Sequence, residues 1–127
     1  MRTGLILSVV LLVTLTAGGV IAEKVTGGIA DRYMEASHEL LALAQMQDYS
    51  RLLTACESYE EDWKDTMDWL TMLINHDDAD AVTAALLDMK AGALARNVTL
   101  CEQAALRLLE EAQHLHHRDC FSIGNIL

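Results

Sequence analysis

The sequence predicts an all-α protein, with an N-terminal transmembrane or signal helix followed by an antiparallel bundle of about four helices. Three observations carry this expectation. Proline is absent from the 127 residues, and Leu5 to Ala22 is an 18-residue stretch without a charge. Beyond it, apolar residues recur at steps of three and four, the period of an amphipathic helix. No window alternates with period two, so no strands are expected. Setting aside residues 1–22 leaves 105, enough for one modest core. The expected division is an anchor or signal segment with its flanks over 1–26, a bundle over 27–120 and an apolar tail over 121–127.

The opening run spans about 27 Å at ~1.5 Å per residue, just enough for a thin hydrocarbon core. Two readings fit it. One is a cleavable signal peptide, with Val20-Ile21-Ala22 as the small-residue site and secretion after Ala22. The other, favoured by length, is an uncut single-pass anchor at the cell membrane. Positive charges stand on both sides, Arg2 before and Lys24 and Arg32 after, so they do not orient it. Signal-like anatomy leaves the N-terminus cytoplasmic and the acidic domain outside.

Four segments follow. The first is striped by Ile29, Tyr33, Ala36, Leu40 and Leu43, and the second by Leu52, Cys56, Tyr59, Trp63, Met67, Leu70 and Ile74. Val82, Leu86, Met89 and Ala93 mark the third. Val98, Cys101, Ala105, Leu108, Ala112 and Leu115 mark the fourth. Each stripe must be buried against another helix. Gly27-Gly28 reads as a hinge between anchor and first helix. Asp48 reads as the cap of the second helix, Asn75 as its end, and Asp77 or Asp78 as the start of the third. Thr99-Leu100-Cys101-Glu102 fits a capping box, with Asn97 as a rival cap that also accounts for the sequon Asn97-Val98-Thr99.

Beyond residue 22 the net charge is −11, which disfavours nucleic acid or an anionic bilayer as a ligand. An apolar content of 52% excludes a disordered acidic tail. No Ser/His/Asp arrangement, phosphate loop or inward pair of carboxylates is visible, so no enzyme and no cofactor are expected.

The candidate sites each have a plain structural reading beside the functional one. Glu57, Glu61, Asp65 and Asp68 form an acidic run that reads as a solvated face. His76, Asp77, Asp78 and Asp80 resemble a cation cluster, but acids at a helix N-terminus are favoured by its dipole without any metal. Glu35-Ala36-Ser37-His38 and Glu111-Ala112-Gln113-His114 match the Glu-x-x-His pairs of di-metal bundles, yet the stripes point His38 outward and leave Glu111 and His114 at the flank. His114 and His117 are spaced to share an ion, and they also suit a helix C-terminus. These are the weak metal candidates.

Apolar excess is the stronger signal. Trp69-Leu70-Thr71-Met72-Leu73-Ile74 is greasy nearly all round, and Phe121-Ser122-Ile123-Gly124-Asn125-Ile126-Leu127 is too short to make a layer of its own. Either the tail covers the end of the second helix, or Trp69, Met72, Leu73, Phe121, Ile123, Ile126 and Leu127 dock on a partner. That partner would be an unidentified envelope or membrane protein, or a second copy of the chain. The leading expectation is an extracytoplasmic interaction or accessory module. The alternative is a ligand- or metal-binding sensor outside the membrane.

An apolar N-terminal segment, the turn Gln47-Asp48-Tyr49, a long acidic helix with Trp63, the junction Ile74-Asn75-His76-Asp77-Asp78 and the run Ser122-Ile123-Gly124-Asn125-Ile126-Leu127 occur in that order. The pattern resembles domain-of-unknown-function family 4363, small clostridial membrane-anchored helical proteins. The resemblance implies a bacterial, anchored, helical protein. That family has no assigned activity, so no functional residues carry over. An anaerobic source would keep Cys56, Cys101 and Cys120 as thiols, although Cys56 and Cys101 could bridge if the second and fourth helices touch.

Overall fold

The computed structural model describes residues 1–70 and 74–124, with side chains described as far as Leu115. The described residues form four helices: α1 (Arg2–Gln45), α2 (Tyr49–Leu70), α3 (His76–Leu94) and α4 (Val98–Gly124). Among the described residues there is no strand. Each helix packs on its neighbour in sequence, and α4 closes the ring against α1. The α1/α4 contact is the most extensive of the four and the α1/α2 contact the least.

The first helix is one continuous element of 44 residues. Among the described residues its opening part is unburied, and Leu5, Leu11, Leu15 and Ile21 are all exposed. From Thr26 onward it is bundle, with Ala30, Tyr33, Ala36, Ser37, Leu40 and Ala44 buried. The expected hinge at Gly27-Gly28 is therefore not a break. Two glycines cost a helix about 2 kcal/mol together. Val25, Thr26, Ile29 and Ala30 flank them and already pack on the core, which holds the backbone helical through the pair.

Two of the connections are the same device. Gln47 and Arg96 adopt left-handed backbone conformations, with φ of 56° and 51°. At each, the next amide reaches back to the helix, Asp48 N–H to the Leu43 carbonyl and Asn97 N–H to the Gly92 carbonyl. This pairing satisfies the orphan carbonyls of a helix end. Asp48 and Asn97 then cap the following helix, accepting from the amides of Arg51 and Leu100 at 3.3 Å. Asn97 rather than Thr99 is thus the cap of α4. Asn75, expected to end α2, instead caps α3 by accepting from Asp77 N–H.

Asp48 and Asn97 stand 49 positions apart, and the core follows the same offset. Tyr33/Val82, Ala36/Ala85, Ser37/Leu86, Leu40/Met89, Ala44/Ala93, Leu52/Cys101, Cys56/Ala105 and Trp63/Ala112 are pairs with both members buried. The bundle is therefore two helix pairs built to one plan. Ile29, Leu43, Tyr59 and Met67, expected in the stripes, lie at the core's edge.

Candidate functional site

The densest polar chemistry joins α1 to α2. Asp62 on α2 accepts a hydrogen bond from the Tyr33 hydroxyl at 2.7 Å and pairs with Arg32 at 3.0 Å. Tyr59 donates to Glu39 on α1. Tyr33 lies edge-on to Trp63, ring centres 4.9 Å apart, and to Tyr59 at 6.2 Å. Trp63 Nε1–H donates to Thr83 Oγ1 on α3 at 3.0 Å.

Burial first, then the bond to and the charge of Asp62, raise the Tyr33 phenol far above its ordinary value. Burial and then Glu39 push Tyr59 up to about 12. Phenols held this firmly neutral are poor general acids or bases near pH 7. The described residues contain no buried side-chain nitrogen or oxygen without a hydrogen bond. This cluster is a clasp between helices α1, α2 and α3.

Glu57, Glu61, Asp65 and Asp68 of the acidic run are exposed. Lys90 on α3 reaches Glu60 at 3.6 Å and Glu57 at 4.0 Å, which ties the upper end of the run to the neighbouring helix. Exposed pairs of this kind contribute at most about 1 kcal/mol each.

The metal candidates do not converge. His76 and Asp77 are exposed, and Asp78 is buried in the first turn of α3, where the helix dipole favours it. Glu35, His38 and His114 are exposed, and His114 pairs with Glu111 of its own helix, at 3.7 Å. Among the described residues no group of three or more His, Cys, Asp or Glu side chains is placed to hold a metal ion. The side chain of His117 lies outside the described residues.

Cys56 and Cys101 are free and buried. Burial, and less so the neighbouring Cys101, pushes the Cys56 thiol up to about 12, and burial also raises that of Cys101. Neither is a nucleophile near neutral pH, since the thiolate is the reactive form. The Cys120 side chain lies outside the described residues.

Of the expected docking residues, Trp69 is 62% exposed beside the fully buried Leu70. Met72, Leu73, Ile126 and Leu127 lie outside the described residues. Phe121 and Ile123 fall on helical backbone, because α4 continues to Gly124, and their side chains are not described. A second set of exposed apolar side chains was not anticipated. Leu87 and Leu94 on α3 and Leu100 and Leu106 on α4 are all exposed. Their signal was present in the sequence, as leucines that fall between the stripe positions of the third and fourth segments.

The shallow clefts are small. One, of about 280 Å³, lies between α2 and α3, with Trp63, Met67 and Thr83 below and His76 and Asp80 at its rim. Another, of about 570 Å³, follows the α3/α4 seam over Gly92 and Ala104 and is crossed by the Arg107–Asp88 pair at 3.0 Å. Neither gathers the convergent polar groups of a ligand site. Comparison with protein-family models, with curated proteins and with solved structures gives no match.

Proposed function

We propose that this protein is a membrane-anchored, extracytoplasmic interaction module, an accessory subunit of another envelope or membrane protein. The observation that carries the proposal is the division of α1. Its first half exposes an uncharged apolar surface and its second half is bundle core, with no break between them. A retained span of this kind couples the bundle rigidly to the bilayer.

The helices alternate in direction. Supporting this, contacts step up one helix as they step down the next. Arg32 and Tyr33 meet Asp62 while Glu39 meets Tyr59, and Thr83 meets Trp63 while Lys90 meets Glu60. Asp88 meets Arg107, and Gly92 faces Cys101. The turns at Gln47 and Arg96 then share the end remote from the membrane. Leu94 and Leu100 stand near that end, 65% and 45% exposed, and are the apolar groups best placed for a protein partner.

Cross-linking of the full-length protein in native membranes tests the proposal. A single stoichiometric partner, lost in the Leu94→Glu/Leu100→Glu variant with helicity retained, supports it. Loss only on truncating residues 121–127 moves the contact to the C-terminal run. Self-cross-links alone would make it a homo-oligomer and reject the accessory role.

A further inference from the structure

The geometry points to a second membrane contact, in which Trp69 and the end of the bundle around it rest in the headgroup layer of a zwitterionic lipid surface. This inference rests on the reading of α1 as a retained span and on the alternating helix directions.

The level of Trp69 follows from the register. Asp62 meets Arg32 and Tyr33, so it lies level with them on α1. Trp69 is seven residues further along α2, about 10 Å at 1.5 Å per residue. Counted back along α1, that level corresponds to about residues 25–26. The apolar run stops at Ala22, where Glu23 and Lys24 follow. Trp69 therefore stands about 5–6 Å beyond the end of the span. The polar layer on each side of a bilayer is about 5–8 Å deep, so the indole falls within it. A helix tilt of about 20° shifts a neighbour 8–10 Å away by only about 3 Å, which leaves the indole at or near this layer. The backbone of α4 agrees. Carried on through the Trp63–Thr83 and Asp88–Arg107 contacts, the register brings Gly124 level with about residues 19–20 of α1, so the last turn of α4 reaches the end of the apolar run.

The residue type fits the place. Tryptophan favours the membrane interface, where its ring is shielded and its N–H stays hydrated. The bundle leaves this side chain unburied while sealing Leu70 next to it. Charge selects the lipid. Toward the same end the exposed Asp65, Asp68, Asp77 and Asp80 outnumber the exposed Lys24 and Lys64, so the balance of charge disfavours anionic headgroups.

The test uses the full-length protein in phosphatidylcholine vesicles. Co-flotation with the vesicles reads the span, and tryptophan emission with brominated lipids reads Trp69. Part of the emission should be quenched, more by bromines near the carbonyl than by bromines deep in the chain. That quenchable part should vanish in Trp69→Phe, which leaves only the buried Trp63. Co-flotation with no lipid-quenchable emission, or quenching unchanged in Trp69→Phe, overturns the contact while leaving the anchor standing. Failure to co-float overturns both.

Discussion

Where the first helix pair sets Tyr33, Tyr59 and Trp63 between α1 and α2, the second sets Val82, Leu108 and Ala112 at the matching positions of α3 and α4. The turns are alike and the buried positions share one offset, yet α3 and α4 pack more extensively than α1 and α2. Side-chain volume accounts for the difference, because the residues at a helix contact set the interaxial distance. Large rings hold α1 and α2 apart, and the gap is bridged by polar bonds to Asp62 and Glu39. Gly92, Ala93, Ala104 and Ala105 let the other pair close, with the Asp88–Arg107 pair on its exposed rim. A turn and a spacing fix which residues face inward. They do not fix how close the helices come.

The largest effect should follow from emptying the aromatic pair. Trp63→Ala removes a side chain only 2% exposed, its edge contact with Tyr33 and its bond to Thr83. Large-to-small changes of this kind cost about 3–5 kcal/mol. Thermal melting of the full-length protein in mild detergent should show a large fall in Tm with helicity retained at low temperature. A loss below about 1 kcal/mol would mean that the aromatic pair is not the keystone of its half.

The close pair is challenged by the opposite change. A Cβ added to Gly92 would lie 2.9 Å from Cys101 Sγ and 3.1 Å from the Cys101 backbone nitrogen. The backbone contact cannot be relieved by a rotamer change, so α3 and α4 must separate. Overpacking costs about 1–3 kcal/mol, against a helix-propensity gain of about 1 kcal/mol from glycine to alanine. Gly92→Ala should therefore lower Tm. Cys101→Ala in the same chain should recover part of the loss by relieving the sulfur contact but not the backbone one.

Much of this architecture was legible before any coordinates. Tyr33, Leu40, Leu52, Trp63, Met89 and Leu108 all fall on the expected stripes and all are buried. The shared offset was hidden because the first pair uses aromatics where the second uses aliphatics, so no residue-by-residue repeat remains. The hinge at Gly27-Gly28 was misread because local propensity carries no information on what Val25 and Ile29 touch. The Asp62 clasp was invisible for a related reason: Asp62 sat inside an acidic run, and only the register of α1 on α2 brings Arg32 and Tyr33 to it. Exposed leucines and the level of Trp69 likewise need the helices set side by side.

Alkali should separate the two pairs next. Tyr33 and Tyr59 bind their protons more tightly folded than unfolded, and both lie in the first pair, while α3 and α4 contain no tyrosine. Their contribution is fully present below pH ~10, the ordinary phenol value, and fades as pH rises toward the folded values. The Cys56 and Cys101 thiols, one in each pair, act with the same sign from pH ~9 upward, so the phenols alone distinguish the first pair. Denaturation midpoints should be level near neutrality and fall from pH 9 to 12. Tyr33→Phe should flatten that fall while lowering stability at neutral pH by the lost bond to Asp62.

The smallest effect sharpens the comparison most, because it repeats one substitution in the other pair. Gly28 on α1 is exposed, and a Cβ there meets nothing within 4 Å. With no contact to offset it, Gly28→Ala should gain about 0.5–1 kcal/mol from reduced backbone freedom in the unfolded chain. The same change at Gly92 is destabilising, so the sign depends only on whether a neighbouring helix is close. A rise in Tm for Gly28→Ala also bears on the anchor. A helix continuous from the span into the bundle is stiffened by the alanine, whereas a chain that bends at Gly27-Gly28 would resist the helical residue and show no gain. Stiffness at this point is what holds Trp69 at a fixed height above the span, so Gly28→Ala should leave its lipid quenching unchanged.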